Sequence, residues 1–325
     1  MIANNRRFLE RSFVVSLFII AITGIALSSG INSVWNNKQI VQAQQEQTKI
    51  NKVWETPDKL NNPESVIYAP KQNTLFVSNI DGKPDEKDQK GFISKVSPSN
   101  GSIVELNWVS GLNAPKGMAI YNDSKLYVSD ITDLVEIDIA NGKIIKRYNA
   151  PGSSFLNDVA SDDRGNIYVS DTRTNAIYKL DTNLKNNTSL QMWLQSPELN
   201  GPNGLIVDNN KNKLIVVSIG PDFSRGGMEV VDLEKKTISR LGNEGTTTPV
   251  GGLDGIESDA TKTHYYVTDN PAGKVYTVNA DGTGYGTLID LRRQGTADLE
   301  FIPGQNLIII PIMQDNKLAA YKLVG

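Results

Sequence analysis

Six polar residues recur at one point of a repeated motif: Glu64, Lys116, Asn157, Asn203, Asp254 and Asp298. Each follows a turn and opens a short apolar run. In Gly201-Pro202-Asn203-Gly204-Leu205-Ile206-Val207, Gly-Pro makes the turn and Leu-Ile-Val the strand. The other versions are Asn62-Pro63-Glu64-Ser65-Val66, Ala114-Pro115-Lys116-Gly117-Met118, Phe155-Leu156-Asn157-Asp158-Val159, Gly252-Leu253-Asp254-Gly255-Ile256 and Thr296-Ala297-Asp298-Leu299-Glu300. Brought together, three carboxylates, one ammonium and two amides carry a charge of −2. Crowded carboxylates oppose one another's ionisation, and a divalent cation removes that conflict. With only oxygen ligands the set favours a hard metal such as Ca²⁺ or Mg²⁺. The plainer role also fits: Pro-Asn-Gly and Leu-Asp-Gly are ordinary turn sequences that cap inner strands.

The elements that must position these residues repeat with them. Successive separations of 52, 41, 46, 51 and 44 residues match the period of propeller blades, about 40 to 50 residues. Each unit reads as four strands. In the third, Asp158-Val159-Ala160 is the inner strand, Ile167 to Asp171 the second, Ala176 to Leu180 the third, and the stretch around Leu190 to Trp193 the fourth. The second strands align across the chain as Leu75 to Asn79, Leu126 to Asp130, Leu214 to Ser218, Tyr265 to Asp269 and Leu307 to Pro311. They are apolar on both faces, as expected of sheets sandwiched between neighbours. The sixth unit ends on its third strand, Leu318 to Leu323, and Lys52-Val53-Trp54-Glu55 is the candidate for its missing outer strand. Pairing the two closes the ring and leaves no free edge. The expectation is an all-β, six-bladed propeller spanning 51–325. Chain reversal then puts all six polar residues at one mouth of the channel, beside the loops between second and third strands.

The N-terminus stands apart. Arg6, Arg7 and Arg11 precede fifteen uncharged residues, Phe13 to Leu27, and then small residues. That layout predicts a secretory signal or an uncleaved anchor over residues 1–30, with export to the periplasm or beyond. Any membrane contact is expected through this segment alone. Residues 31–50, rich in Gln and Asn, read as a flexible linker. The net charge of −3 and the lack of a basic stripe argue against a nucleic-acid partner. With no cysteine in 325 residues, thiol nucleophiles, thiolate metal sites and disulfides are excluded.

From about residue 52 to 323 the chain resembles the SMP-30/gluconolactonase/LRE family, six-bladed propellers related to paraoxonases and strictosidine synthases. The resemblance rests on a Glu in the first blade, an Asn in a Pro-Asn-Gly turn and an Asp in an Asp-Gly turn. It implies a metal held by Glu64, Asn203 and Asp254, with Asn157, paired with Asp158, contacting metal or substrate. Calcium is the first expectation, with Mg²⁺ or Zn²⁺ as alternatives. The implied activity is metal-dependent opening of a lactone or related ester, with Asp254 as general base. The sugar-lactonase members usually carry an Arg where this chain has Phe155, which counts against gluconolactone and similar sugar acids and favours a more apolar or a different substrate. Lys116 is expected either to contact a substrate anion or to pair with Asp298. Substrate contacts are thus expected from Asn157, Lys116, Asp298 and Phe155. Two other readings stand beside this one: an exported propeller that binds a ligand or protein without chemistry, and a strictosidine-synthase-like enzyme without a metal.

The remaining signals are weaker. Ile80 to Lys90 and Ile219 to Gly227 are candidate lids, bringing Phe223 and Arg225 within reach, although the charge of the first fits a plain solvated loop. Asp130, Asp171 and Asp269 end second strands, where an aspartate stabilises a turn. Gly282 to Gly286 opens no helix and is no phosphate loop. His264, the one histidine, falls on a second strand and reads as structural.

Overall fold

The computed structural model describes residues 49–243, 245–292 and 295–324. The expected signal or anchor and most of the expected linker lie outside them. Among the described residues no helix is long and apolar enough to cross a membrane. The first strand, β1 (Lys49–Glu55), begins just inside the stretch read as linker.

Six blades follow. The first holds β2 (Pro63–Ala69), β3 (Thr74–Asn79), β4 (Gly91–Val96) and β5 (Ile103–Leu112). The second holds β6 (Pro115–Tyr121), β7 (Lys125–Asp130), β8 (Asp133–Asp138) and β9 (Lys143–Asn149). The third holds β10 (Leu156–Ser161), β11 (Asn166–Asp171), β12 (Ala176–Asp181) and β13 (Gln191–Gln195). The fourth holds β14 (Pro202–Asp208), β15 (Lys213–Ser218), β16 (Met228–Asp232) and β17 (Ile238–Arg240). The fifth holds β18 (Leu253–Ser258), β19 (His264–Asp269), β20 (Lys274–Asn279) and β21 (Tyr285–Asp290). The last holds β22 (Glu300–Ile302), β23 (Leu307–Ile312) and β24 (Lys317–Val324).

Every blade is a four-stranded antiparallel meander, and β1 completes the sixth by pairing with β24 in the order β1-β24-β23-β22. The expected closure is the observed one. Neighbouring inner strands contact each other around the ring, β2 with β6, β6 with β10, β10 with β14, β14 with β18, and β18 and β2 with β22.

The core lies between blades. On β7, Leu126 and Val128 join the cluster with Phe76 and Ile93 of the first blade, while Tyr127 joins the cluster with Ile167 and Val169 of the third. Alternate residues of one strand therefore face different neighbours, which is why second strands are apolar throughout.

The inner strands share one irregularity. In the first five blades the register between first and second strands slips at the same place: between Pro63 and Ser65, Pro115 and Met118, Leu156 and Val159, Pro202 and Leu205, and Leu253 and Ile256. Five of the six repeated polar residues sit in these bulges. A bulge re-aims a side chain out of the regular alternation, and all five of these residues are buried.

Candidate functional site at the channel mouth

The glycine that follows three of the ring residues has a packing reason. A Cβ on Gly117 would meet the Asp158 backbone at 2.5 Å, and one on Gly255 the Asp298 backbone at 2.6 Å. A Cβ on Gly204 would strike the Asp254 carbonyl. Pro-Lys-Gly, Pro-Asn-Gly and Leu-Asp-Gly are thus places where one inner strand lies directly against the next.

Second strands fasten the bulges. Ser78 Oγ accepts from Ser65 N (2.9 Å), Ser170 Oγ from Asp158 N (2.9 Å) and Thr268 Oγ1 from Gly255 N (2.7 Å). Each acceptor holds the backbone just after a ring residue. Ser170 Oγ donates onward to the Asn203 carbonyl (2.7 Å), and Ser129 Oγ to the Asn157 carbonyl. This stitching of blade to blade by Val-Ser or Val-Thr pairs went unread in the sequence, although a hydroxyl recurring in an apolar strand is a visible signal. The strand-ending aspartates behave as expected. Asp130 accepts from the amides of Asn113 and Ala114, and Asp171 from those of Ser154 and Phe155.

Glu64 is buried, and its Oε2 has no hydrogen-bond partner among the described residues. Burial pushes its carboxyl well up, and the charge of Asp254 adds to this while Lys116 opposes it. Asp254 is pushed up to about 6 by burial, with Asn270 and Asn203 pulling back. Asn270 Nδ2 donates to Asp254 Oδ2 at 2.7 Å. Both ring amides have their nitrogens engaged: Asn157 Nδ2 donates to Thr172 Oγ1 (3.1 Å) and Asn203 Nδ2 to the Leu253 carbonyl (3.3 Å). Their carbonyl oxygens are left as acceptors.

Asp298 accepts from Ser65 Oγ at 2.7 Å, and its backbone N–H donates to the Glu64 carbonyl (2.9 Å), joining the last blade to the first. Burial and the neighbouring Asp158 push its carboxyl well up. Further acids line the inner strands. Asp158, pushed up to about 7 by burial, accepts from Val159 N (2.7 Å) and Leu205 N (2.6 Å). Glu300, pushed up to about 8 by burial, accepts from Tyr68 N (2.6 Å). Asp158 is bound on both oxygens and is structural. Among the described residues no three acidic or histidine side chains form a metal cluster; the expected set has two carboxylates and two amides.

Lys116 does not pair with Asp298. Its Nζ donates to the Ala114 and Pro84 carbonyls, both at 2.9 Å, and lies 4.4 Å from the centre of the Phe155 ring. Ring order explains the difference, since Glu64 stands between the blades of Lys116 and Asp298. Burial lowers the ammonium to about 8, with Glu64 opposing the shift. Phe155, half-buried, also has the Arg173 guanidinium 4.5 Å from its centre.

The loop from Ile80 to Lys90 is more than a solvated loop. It carries exposed charges, yet Pro84 receives Lys116, Asp85 Oδ2 receives Arg173 (2.9 Å), and Lys87 donates to Thr132 Oγ1 (2.6 Å). It is tethered to the second and third blades beside the ring. In the other candidate lid, Phe223 is exposed and its carbonyl lies against Gly252, while Arg225 pairs with Asp222 at 2.8 Å. His264 is exposed at the start of β19 beside Asp259. The far end of β19, Asp269, pairs with Leu253 at the ring, so the histidine sits at the opposite end of the blade.

Neither a protein-family model nor a curated protein matches the sequence. Solved structures do match. A gluconolactonase from Xanthomonas campestris is 15% identical with a TM-score of 0.59, covering 85% of this chain and 90% of that one. A catalytically inactive histidine-to-alanine variant of virginiamycin B lyase from Staphylococcus aureus, solved with quinupristin, is also 15% identical, with a TM-score of 0.57 and coverage of 85% and 99%. What this chain shares with both is its fold, the six-bladed β-propeller.

Proposed function

We propose that the channel mouth binds one divalent cation, calcium first, and that the protein is a metal-dependent hydrolase opening a lactone or related ester. The observation that carries this reading is the buried Glu64 Oε2, which no donor satisfies. An unsatisfied buried acceptor is costly, and a carboxylate kept that way calls for a cation. The ring's chemistry fits a hard one. Asn157 and Asn203 have their nitrogens turned to protein acceptors, so each offers an oxygen beside Glu64 and Asp254.

When bound, the metal supplies Lewis-acid polarisation of a carbonyl oxygen. The chain's own residues do the rest. Asp254, oriented by Asn270, is the base that takes a proton from water. Asn157 and Asn203 would hold the cation through their amide oxygens. Phe155 borders the site where an Arg is usual in the sugar lactonases, in keeping with a substrate other than a sugar acid.

Of the two matched structures, the gluconolactonase is the nearer precedent for this chemistry. The lyase was captured inactive by loss of a histidine, whereas His264 lies at the far end of its blade. Turnover of a panel of lactones and aryl esters tests the reading. Activity should require calcium, disappear with chelator and disappear in Asp254→Ala. Calcium binding without turnover of any ester would support a binding propeller instead.

A further inference from the structure

Two cations flank Phe155 near the ring: Lys116, whose hydrogen bonds go to backbone carbonyls, and Arg173, paired with Asp85. The Lys116 ammonium is buried, with 1% of the residue exposed, yet its two hydrogen-bond partners are backbone carbonyls. None of its hydrogen bonds goes to a charged group, and the carboxylates near it, Glu64 among them, act only through space. The Arg173 guanidinium is half-exposed and held against Phe155 from one side, 4.5 Å from the ring centre. Its carboxylate partner is Asp85, 88 residues away in sequence on the loop from Ile80 to Lys90.

That loop delivers both of its contacts from adjacent residues. Pro84 sets its carbonyl on Lys116, and Asp85 sets its carboxylate on Arg173. Asp85 responds to both cations: its hydrogen bond to Arg173 lowers its carboxyl, and the charge of Lys116 lowers it further. One carboxylate thus lies in the combined field of two positive groups. The tether is weak, because both side chains of the ion pair are about half exposed and water screens them.

We propose that Lys116 and Arg173 form an anion subsite beside the axial ring, for a small molecule bearing a carboxylate, and that Pro84 and Asp85 occupy it until such a molecule displaces them. The Asp85 carboxylate stands in for the ligand's own, and the loop is the cover that the ligand lifts. Calling the ligand a substrate rests on the hydrolase reading; the subsite itself does not. Under that reading the substrate is an ester or lactone with a second, anionic group on the side facing Phe155.

Glutarate, with the uncharged glutaramide as control, tests this by calorimetric titration of the full chain in chelator, so that no ring-bound cation acts as the receptor. Asp85→Ala frees the subsite and should bind glutarate up to about fivefold more tightly than the unaltered protein, matching the loss of one exposed ion pair. Arg173→Gln should weaken binding by about tenfold or more, as expected for loss of a charge-assisted contact. Glutaramide should bind none of them. Equal glutarate binding by Arg173→Gln and the unaltered protein overturns the subsite, as does glutaramide binding as well as glutarate or no glutarate binding even by Asp85→Ala. Calcium binding and ester turnover, measured separately on the same preparations, report on the hydrolase reading alone. Their failure alongside the expected glutarate pattern leaves the subsite standing.

Discussion

Glu64 and Asp158 are both carboxylates on inner strands of the same channel, in the first and third blades, both buried, and both raised by burial. They differ in their donors. Asp158 receives backbone N–H groups on both oxygens, one of them from the neighbouring fourth blade. Glu64 leaves a buried oxygen unmet. Evolution of a scaffold satisfies what it buries, so the satisfied acid reads as a strut and the unsatisfied one as a ligand. The two classes of carboxylate in one channel should respond to mutation in opposite ways.

The largest expected effect is on activity. Asp254→Ala and Glu64→Gln should each lower calcium-dependent ester turnover by about a thousandfold or more, the scale on which loss of charge stabilisation is felt; initial rates measure it. Asp158→Ala should instead act on stability. It strands the Leu205 and Val159 amides and should cost about 3 kcal/mol, read from denaturant melts, while Glu64→Gln in chelator should be neutral or stabilising. The same sign for both would erase the distinction between strut and ligand.

A pH series sharpens it further. Burial holds Asp254 at about 6, Asp158 at about 7 and Glu300 at about 8, all above the ordinary carboxylate range near ~4. A carboxyl with a raised folded pKa contributes stability below its unfolded value and loses it as pH rises through the folded one. Metal-free protein should therefore lose stability between about pH 4 and pH 8. Calcium should raise the melting temperature more at pH 8 than at pH 5, by on the order of 5 °C; calorimetry at the two pH values decides.

The smallest effect concerns the stitches. Ser170→Ala removes one hydroxyl that ties Asp158 N to the Asn203 carbonyl and should cost about 1 to 2 kcal/mol. It should also weaken calcium binding, since it loosens the bulge that aims Asn203. The same substitution at Ser102, exposed and outside the strands, should change neither.

What was legible in the sequence is what repeats. The six polar positions, the four-strand unit and the closure through Lys52 to Glu55 all follow from spacing, because each blade must bury the same faces. The Asp that ends three of the second strands, at 130, 171 and 269, was legible for the same reason. What was not legible depends on single loop residues meeting across blades. Asn270 reaching Asp254, Arg173 reaching Asp85, and Lys116 turning to Pro84 rather than Asp298 have no periodic signature. The serine and threonine stitches were missed although periodic, because Val-Ser-Asp and Val-Thr-Asp read equally well as plain strand. Glu300 was hidden similarly, since its carboxyl is matched to Tyr68 N only once the sixth blade meets the first.

The central claim is that Glu64, Asn157, Asn203 and Asp254 together hold one cation. Calorimetric titration of the full chain with calcium tests it most directly, set against the near-isosteric Glu64→Gln and Asp254→Asn. One ion per chain, lost in both variants while each still melts cooperatively, is the predicted result. A folded chain that takes up no calcium, magnesium or zinc, or one whose binding survives both substitutions, would contradict it.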